Sequence, residues 1–219
     1  MKAHHEHEFE AALGLPETLP EGERILWQAA PDWKQLAWHA FHVRKIAAYF
    51  ALMWALQIAH YVEEGAPVGV LLKQCGTSFL LAAVALGLLC MSAYYAAQTA
   101  MYTLTNRRMV MRVGIVLSLT FNLPLKKIVA ADVAQTQQGF GDIALSLGNG
   151  DRIAWLNLWP HARAWHVKQP QPTLRCIANV SEVAQLLAQA WQHENSQVAW
   201  QQQVQTASAS GHARDGVMA

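Results

Sequence analysis

The sequence predicts a membrane α-helical hairpin plus an α+β/all-β domain: two transmembrane helices followed by a small antiparallel barrel capped by a C-terminal helix. Three observations carry this expectation. From Gln74 to Asn106 the 219-residue chain runs 33 residues without a charged side chain, and roughly 20 apolar residues suffice to cross a hydrocarbon core about 30 Å thick. From Tyr102 onward apolar residues recur at every second position, the period of a half-buried strand. Near the end, Val183, Leu186, Leu187, Ala190 and Trp191 return to the period of an amphipathic helix.

Composition narrows the function classes. A net charge of +1 argues against nucleic acid as a partner, because phosphate-driven binding needs a concentrated basic face. The three cysteines, Cys75, Cys90 and Cys176, are far apart, with no C-x-x-C spacing, so neither a disulfide framework nor a zinc site follows. The first residues lack the apolar stretch of a secretory signal, which leaves the N-terminus expected in the cytoplasm. His4, His5 and His7 are able to bind a transition metal, but a solvated acidic-histidine terminus is the simpler reading.

Taken in order, residues 1–22 read as a flexible cytoplasmic tail punctuated by Pro and Gly. Residues 23–45 read as an interfacial amphipathic segment. Asp32 is a candidate N-cap with Gln35 three residues on, followed by helical spacing of Trp33, Leu36, Ala37, Ala40 and Phe41. Trp27, Trp33 and Trp38 with Arg44 and Lys45 are the expected interfacial anchors, rings at headgroup level and cations toward phosphate. A soluble helix packed on the β domain is the plainer alternative.

Residues 46–100 form the two-helix hairpin, with spans expected at Ile46 to Val62 and at about Thr77 to Ala97 and a break at Glu63-Glu64-Gly65-Ala66-Pro67. Lys34, Arg44 and Lys45 precede the first span and Arg107, Arg108 and Arg112 follow the second, which places both termini in the cytoplasm and the protein, multi-pass, in the inner membrane. His60 is the one ionisable residue in the spans. Its imidazole is chemically able to ligate a bacteriochlorophyll magnesium, but beside Glu63 it reaches water just as readily, so no metal or cofactor is expected. Ala82, Ala83, Ala85, Gly87, Ser92 and Ala93 give the second span small sides that suit close packing within the hairpin, against another protein, or in a homo-oligomer.

Residues 101–192 form the cytoplasmic domain. Strands are expected around Tyr102–Leu104, Met109–Val113, Leu117–Phe121 and Ile143–Leu147. A hairpin at Gly148-Asn149-Gly150-Asp151 should return a further strand over Arg152–Leu156. Asn179 or Ser181 caps the closing helix. Residues 193–219, rich in Gln, Ser, Ala and Gly, read as a disordered tail.

The order of strands and closing helix is that of a pleckstrin-homology (PH)-like antiparallel barrel. The run Tyr102-Thr103-Leu104-Thr105-Asn106-Arg107-Arg108-Met109-Val110-Met111-Arg112-Val113-Gly114 resembles the first strand pair of bacterial membrane-anchored PH domains, in which Thr-Asn-Arg-Arg forms the turn. Leu19-Pro20-Glu21-Gly22-Glu23-Arg24-Ile25-Leu26-Trp27-Gln28, Pro31-Asp32-Trp33, Ala40-Phe41-His42-Val43-Arg44-Lys45 and Leu119-Thr120-Phe121-Asn122-Leu123-Pro124 more narrowly resemble the PuhB-type photosynthetic complex assembly proteins of purple bacteria. The resemblance spans roughly residues 13 to 192. It implies an inner-membrane, non-enzymatic protein that helps build the reaction centre and its core light-harvesting antenna, with their subunits as partners. The alternative is a generic membrane-anchored PH-domain protein that binds lipid or another protein.

No metal-ligand run, nucleophile elbow, phosphate loop or acid–base pair is present to suggest catalysis. Gly139-Phe140-Gly141-Asp142 reads as a turn, and Asp132 and Asp142 are isolated carboxylates beside strands that face each other as catalytic acids only on a less economical reading. Binding is easier to support. Arg107, Arg108, Arg112, Lys126 and Lys127 lie near the membrane exit in sequence, where each cation beside an anionic leaflet contributes about 1 kcal/mol. They suit lipid, an acidic protein surface or the positive-inside rule alone. Trp155, Trp159 and Trp165 form an aromatic region in which Trp159 is the candidate contact and Trp155, by alternation, the expected core residue.

Overall fold

A computed structural model describes residues 15, 18–115, 118–136, 139–148, 153–163 and 166–196. The His-rich start, most of the 1–22 tail, Leu117, the Asn149-Gly150 turn, Trp165 and residues 197–219 lie outside the described residues. A helical N-terminal region with one long apolar helix is followed by antiparallel sheets and a C-terminal helix, the arrangement of a PH-like domain.

The chain begins with β1 (Ile25–Ala29) and α1 (Trp33–His39), then α2 (Val43–Glu63) and α3 (Val68–Thr99). Asp32 caps α1 as its spacing implied, its carboxylate accepting the Gln35 N–H at 2.8 Å. His42, at φ +53°, turns the chain from α1 into α2. Gly65, at φ +62°, lies in the turn between α2 and α3, a backbone conformation that suits a residue without Cβ. α2 and α3 pack against each other. The Trp54 indole N–H donates to the Cys75 carbonyl at 3.0 Å, the Ser78 hydroxyl lies 2.7 Å from Gln57 Oε1, and the Trp54 and Phe79 rings meet at 5.7 Å.

α3 is longer than the second span expected from Thr77 to Ala97. Its last three turns do a different job from the rest: Ala93, Ala96 and Ala97 are buried against Leu36, Ala37 and Phe41 of the α1 segment. Small side chains there let α1 approach closely, so one face of this end of α3 is covered by protein while Tyr94 and Tyr95 stay exposed on the other. The remainder exposes large apolar side chains, among them Phe79, Leu80, Leu81, Val84 and Leu88.

Among the described residues, β1 and the six strands that follow the helices form two sheets. β1 pairs antiparallel with β2 (Met101–Thr105), β2 with β3 (Arg108–Val113), and β3 with β4 (Leu119–Pro124). A short 3-10 turn, Leu125–Lys127, leads to the second sheet of β5 (Ile128–Gln135), β6 (Gly141–Leu147) and β7 (Thr173–Ile177). α4 (Trp155–Leu158) is a single turn, and residues 180–196, here α5, form the closing helix. Tyr102, Leu104, Met109, Met111 and Leu123 from the first sheet share one core with Ile143, Leu145, Leu174 and Ile177 from the second and with Val180, Val183 and Leu187 of α5. Gly141 is required where β6 passes under α5, because a Cβ there would lie 2.5 Å from the Ala134 carbonyl and 2.7 Å from Val180.

Three expectations need correction. Residues 23–45 are not one interfacial segment: Ile25–Ala29 leaves it to become the edge strand of the first sheet, since β2 offers it a free row of backbone groups. Trp27 accordingly packs on the core from β1 instead of anchoring at an interface. The strand expected to return over Arg152–Leu156 is absent in its described part, where Trp155–Leu158 is helical. β6 is already bonded to β5 on one edge and to β7 on the other, so no edge remains for it. Trp155 is half-buried and the core residue of that turn is Leu158.

Candidate functional site

The Thr-Asn-Arg-Arg turn between β2 and β3 fastens the N-terminal segment. Asn106 Oδ1 accepts the Arg24 N–H at 2.9 Å, its amide donates to the Gly22 carbonyl at 3.0 Å, and its own N–H reaches the Arg24 carbonyl. Glu23, with only 3 % of its side chain exposed, accepts from the Thr105 hydroxyl at 2.7 Å and from Arg108 Nε at 2.8 Å. Arg108 is therefore committed to an internal ion pair, and Glu23, 85 residues away, was not recognised in the sequence as its partner. Charge reversal at Arg108 would leave a buried carboxylate facing a like charge and would report on folding, not on docking.

The five expected basic residues do not form one patch. Arg107, Arg108, Lys126 and Lys127 sit at the end of the first sheet marked by the β2–β3 turn, where the Leu125 N–H donates to the Arg107 carbonyl. Arg112 pairs in register with Met101 and Thr120, at the opposite end of β3, beside the exit from α3. Of the five, Arg112 alone lies at the end of the sheet that adjoins the helices; it is exposed, as are Arg107, Lys126 and Lys127.

Around the start of α2 the picture differs. Trp33, Trp38, Arg44 and Lys45 are all exposed, Trp33 meeting Tyr94 edge-on at 5.9 Å. Trp159 packs its ring edge-on against Phe41 at 5.4 Å, with its other face open. His60 sits at the far end of α2, exposed, with Nε2 3.5 Å from Glu64 Oε1. Among the described residues no three His, Cys, Asp or Glu side chains converge as a metal site. Asp132 and Asp142 do not face each other. Asp132 is held by Arg163, while Asp142 accepts the Cys176 N–H at 2.8 Å and lies 3.3 Å from Arg175 Nε, an ionic contact without hydrogen-bond alignment.

A buried polar cluster was not legible in the sequence. The Tyr102 hydroxyl accepts the Arg175 N–H at 3.2 Å and lies 2.5 Å from His161 Nδ1. Within the Tyr102–His161 pair, a hydroxyl that donates to Nδ1 leaves one polar hydrogen without a protein partner, that on His161 Nε2. The other tautomer would strand two groups. Burial, reinforced by the Arg175 charge, lowers the His161 pKa to about 3 and so keeps the ring neutral. Burial likewise raises Tyr102 far above the ordinary phenol range, and burial with the nearby Asp142 charge pushes the Cys176 thiol up to about 12. The cluster holds β2, β7 and the 155–163 loop together. The Asp32 N–H donates to the Cys176 carbonyl at 3.0 Å, which extends the tie to α1.

Two antiparallel sheets closed by a helix, carried on an apolar helical pair, define the class: a family model for the bacterial PH domain matches residues 46–191, and the chain belongs to that family. Within it, the chain is 41% identical over 191 residues to a protein of Rhodobacter capsulatus described as an uncharacterized 23.7 kDa protein in the puhA 5′ region, covering 86% of this chain and 88% of that relative. No solved structure matches. The family match opens inside α2 and so leaves out β1, which the fold nonetheless uses as a sheet edge.

Proposed function

We propose that this protein is a non-catalytic assembly factor of the PuhB type for the photosynthetic reaction centre and core light-harvesting complex, held in the inner membrane by a two-helix hairpin with both termini cytoplasmic. The observation that carries the membrane part is the pairing of β1 with β2. These strands flank the helices in sequence and are hydrogen-bonded to each other, so they share one side of the bilayer. α3 is long and apolar enough to cross, and a chain that crosses once through α3 must cross back through α2. The 21 residues of α2 rise about 32 Å; its uncharged stretch from Ile46 to Val62 accounts for about 26 Å, and snorkelling of Arg44 and Lys45 makes up the difference to a hydrocarbon core of about 30 Å. Its flanking Arg44, Lys45 and Glu63 lower its average apolarity without interrupting its middle.

The photosynthetic part is supported by the relative in the puhA 5′ region of a purple bacterium and by the N-terminal sequence block. Between α2 and α3 runs an apolar groove of about 940 Å³, lined by aromatic residues of α2 and by the small Ala82, Ala83 and Ala85 of α3. A client transmembrane helix fits such a surface, because small side chains allow close backbone approach in lipid. The tethered β domain then meets the client's soluble face, and two linked weak contacts raise effective concentration while leaving release possible.

Two results are expected. A cysteine at position 65 is labelled only from the periplasmic side; labelling from the cytoplasm alone would refute the hairpin. A deletion strain of the native host makes pigments yet accumulates less reaction centre and core antenna, and their subunits co-purify with the tagged protein by quantitative mass spectrometry. Normal complex levels together with no such subunits in the purified material would replace this reading with a generic lipid- or protein-binding PH protein.

A further inference from the structure

We propose that the turn carrying Leu156 and Trp159 is a membrane-contacting element of the β domain, seated in the headgroup boundary of the same leaflet through which α2 enters. The inference rests on the hairpin reading and adds a contact that it does not require. Within α4, Leu158 is fully buried. Residues two positions apart on a helix point to nearly opposite sides, so burying Leu158 turns Leu156 outward, where it is 79 % exposed. Trp159, next in the chain, is 47 % exposed. Both side chains thus present apolar surface outward, and the Trp159 ring meets that of Phe41.

Position decides what that partner is. Phe41 lies two residues before α2, and the Trp159–Phe41 ring contact fixes the turn at that level. Val43 and Leu89 pack on the same small cluster as Phe41, so the level corresponds on α3 to the place where α1 covers one face of the helix through Ala93 and Ala96 while the outer face passes from leucines to the exposed Tyr94 and Tyr95. Exposed tyrosines at the end of an apolar helix mark the headgroup level. Trp33 and Trp38 are exposed on α1 nearby in the chain, and Arg44 and Lys45 are exposed in the first turn of α2. Exposed indoles with adjacent cations are the composition of a bilayer interface, rings among the glycerol and acyl boundary and cations toward phosphate. A protein partner would not require the turn to coincide with the helix-entry level. The bilayer does, because it meets every element at that height. Seating the turn there, beside the start of α2, would restrain the β domain from pivoting about the hairpin.

The test uses the full chain in phosphatidylcholine/phosphatidylglycerol vesicles. A nitroxide is placed at Leu156→Cys in a background with Cys75, Cys90 and Cys176 replaced by alanine. Val129→Cys, exposed on β5 beside the membrane-distal Lys127, and Leu81→Cys, exposed midway along α3, serve as references. The accessibility ratio of oxygen to nickel ethylenediaminediacetate at position 156 is expected several-fold above that at 129 and below that at 81. A ratio at 156 equal to that at 129, with 81 in lipid, overturns the inference and leaves the hairpin standing. An aqueous position 81 removes the hairpin and the inference with it. Should the cysteine-free background not fold, quenching by brominated lipid supplies the readout: native protein minus Trp159→Phe must contain a quenchable component, and its absence is equally fatal.

Discussion

Leu187→Asp is expected to unfold the β domain while leaving the helical pair in place. Leu187 is 4 % exposed and belongs to the core shared by both sheets and α5. It has Ile143 and Trp191 beside it in a groove of about 380 Å³ between β5 and the helix, too apolar to offer a carboxylate a hydrogen bond. An unpaired buried charge costs several kcal/mol, against a total domain stability of about 5 to 15 kcal/mol. In detergent, the variant should lose its cooperative thermal transition and become protease-sensitive between residues 101 and 196. Leu187→Ala, which removes only packing, should cost about 2 to 5 kcal/mol and keep the transition. An unchanged melting temperature in Leu187→Asp would mean that α5 does not close the core.

The second large effect is an acid sensitivity centred on His161. Its folded pKa of about 3 lies below the ordinary histidine value of 6.5, so as pH falls the unfolded chain takes up the proton first. The stabilisation is complete above pH 6.5 and is lost as pH falls toward 3. By linkage, about 2 kcal/mol should disappear between pH 7 and pH 5. His161→Gln keeps a polar group near Tyr102 but cannot titrate. The variant should be less stable than wild type at pH 7, with a visibly shallower loss of stability down to pH 5. Parallel stability–pH curves for the two proteins would exclude His161 as the source.

How much of this was legible in the sequence depended on how local the determining interaction was. The helices α2, α3 and α5 follow from apolar spacing and uncharged length within single windows, and β2 and β3 from alternation around the Thr-Asn-Arg-Arg turn. The Asp32 cap and the alternatives for capping α5 are equally local. The exposed Trp33, Trp38, Arg44, Lys45 and Trp159 are legible from residue type and position alone, while the exposed Leu156 beside Trp159 carries no signal, since nothing in its neighbours says which side of a one-turn helix is buried.

The tertiary structure decided what depends on residues far apart. Ile25–Ala29 becomes a strand because β2, beyond both helices, offers it an edge, and Trp27, expected as an interfacial anchor, packs half-buried against the core for the same reason. Arg108 is drawn from a presumed binding patch into a bond with Glu23, and the remaining cations separate because β3 runs between them. Tyr102 and His161, 59 residues apart, are brought into contact only by the folded sheets. Periodicity and charge-free length are properties of neighbouring residues and can be read along the chain; strand partners, buried ion pairs and the side of a turn left exposed are fixed by which backbone edges and apolar faces remain uncovered once the whole chain has packed.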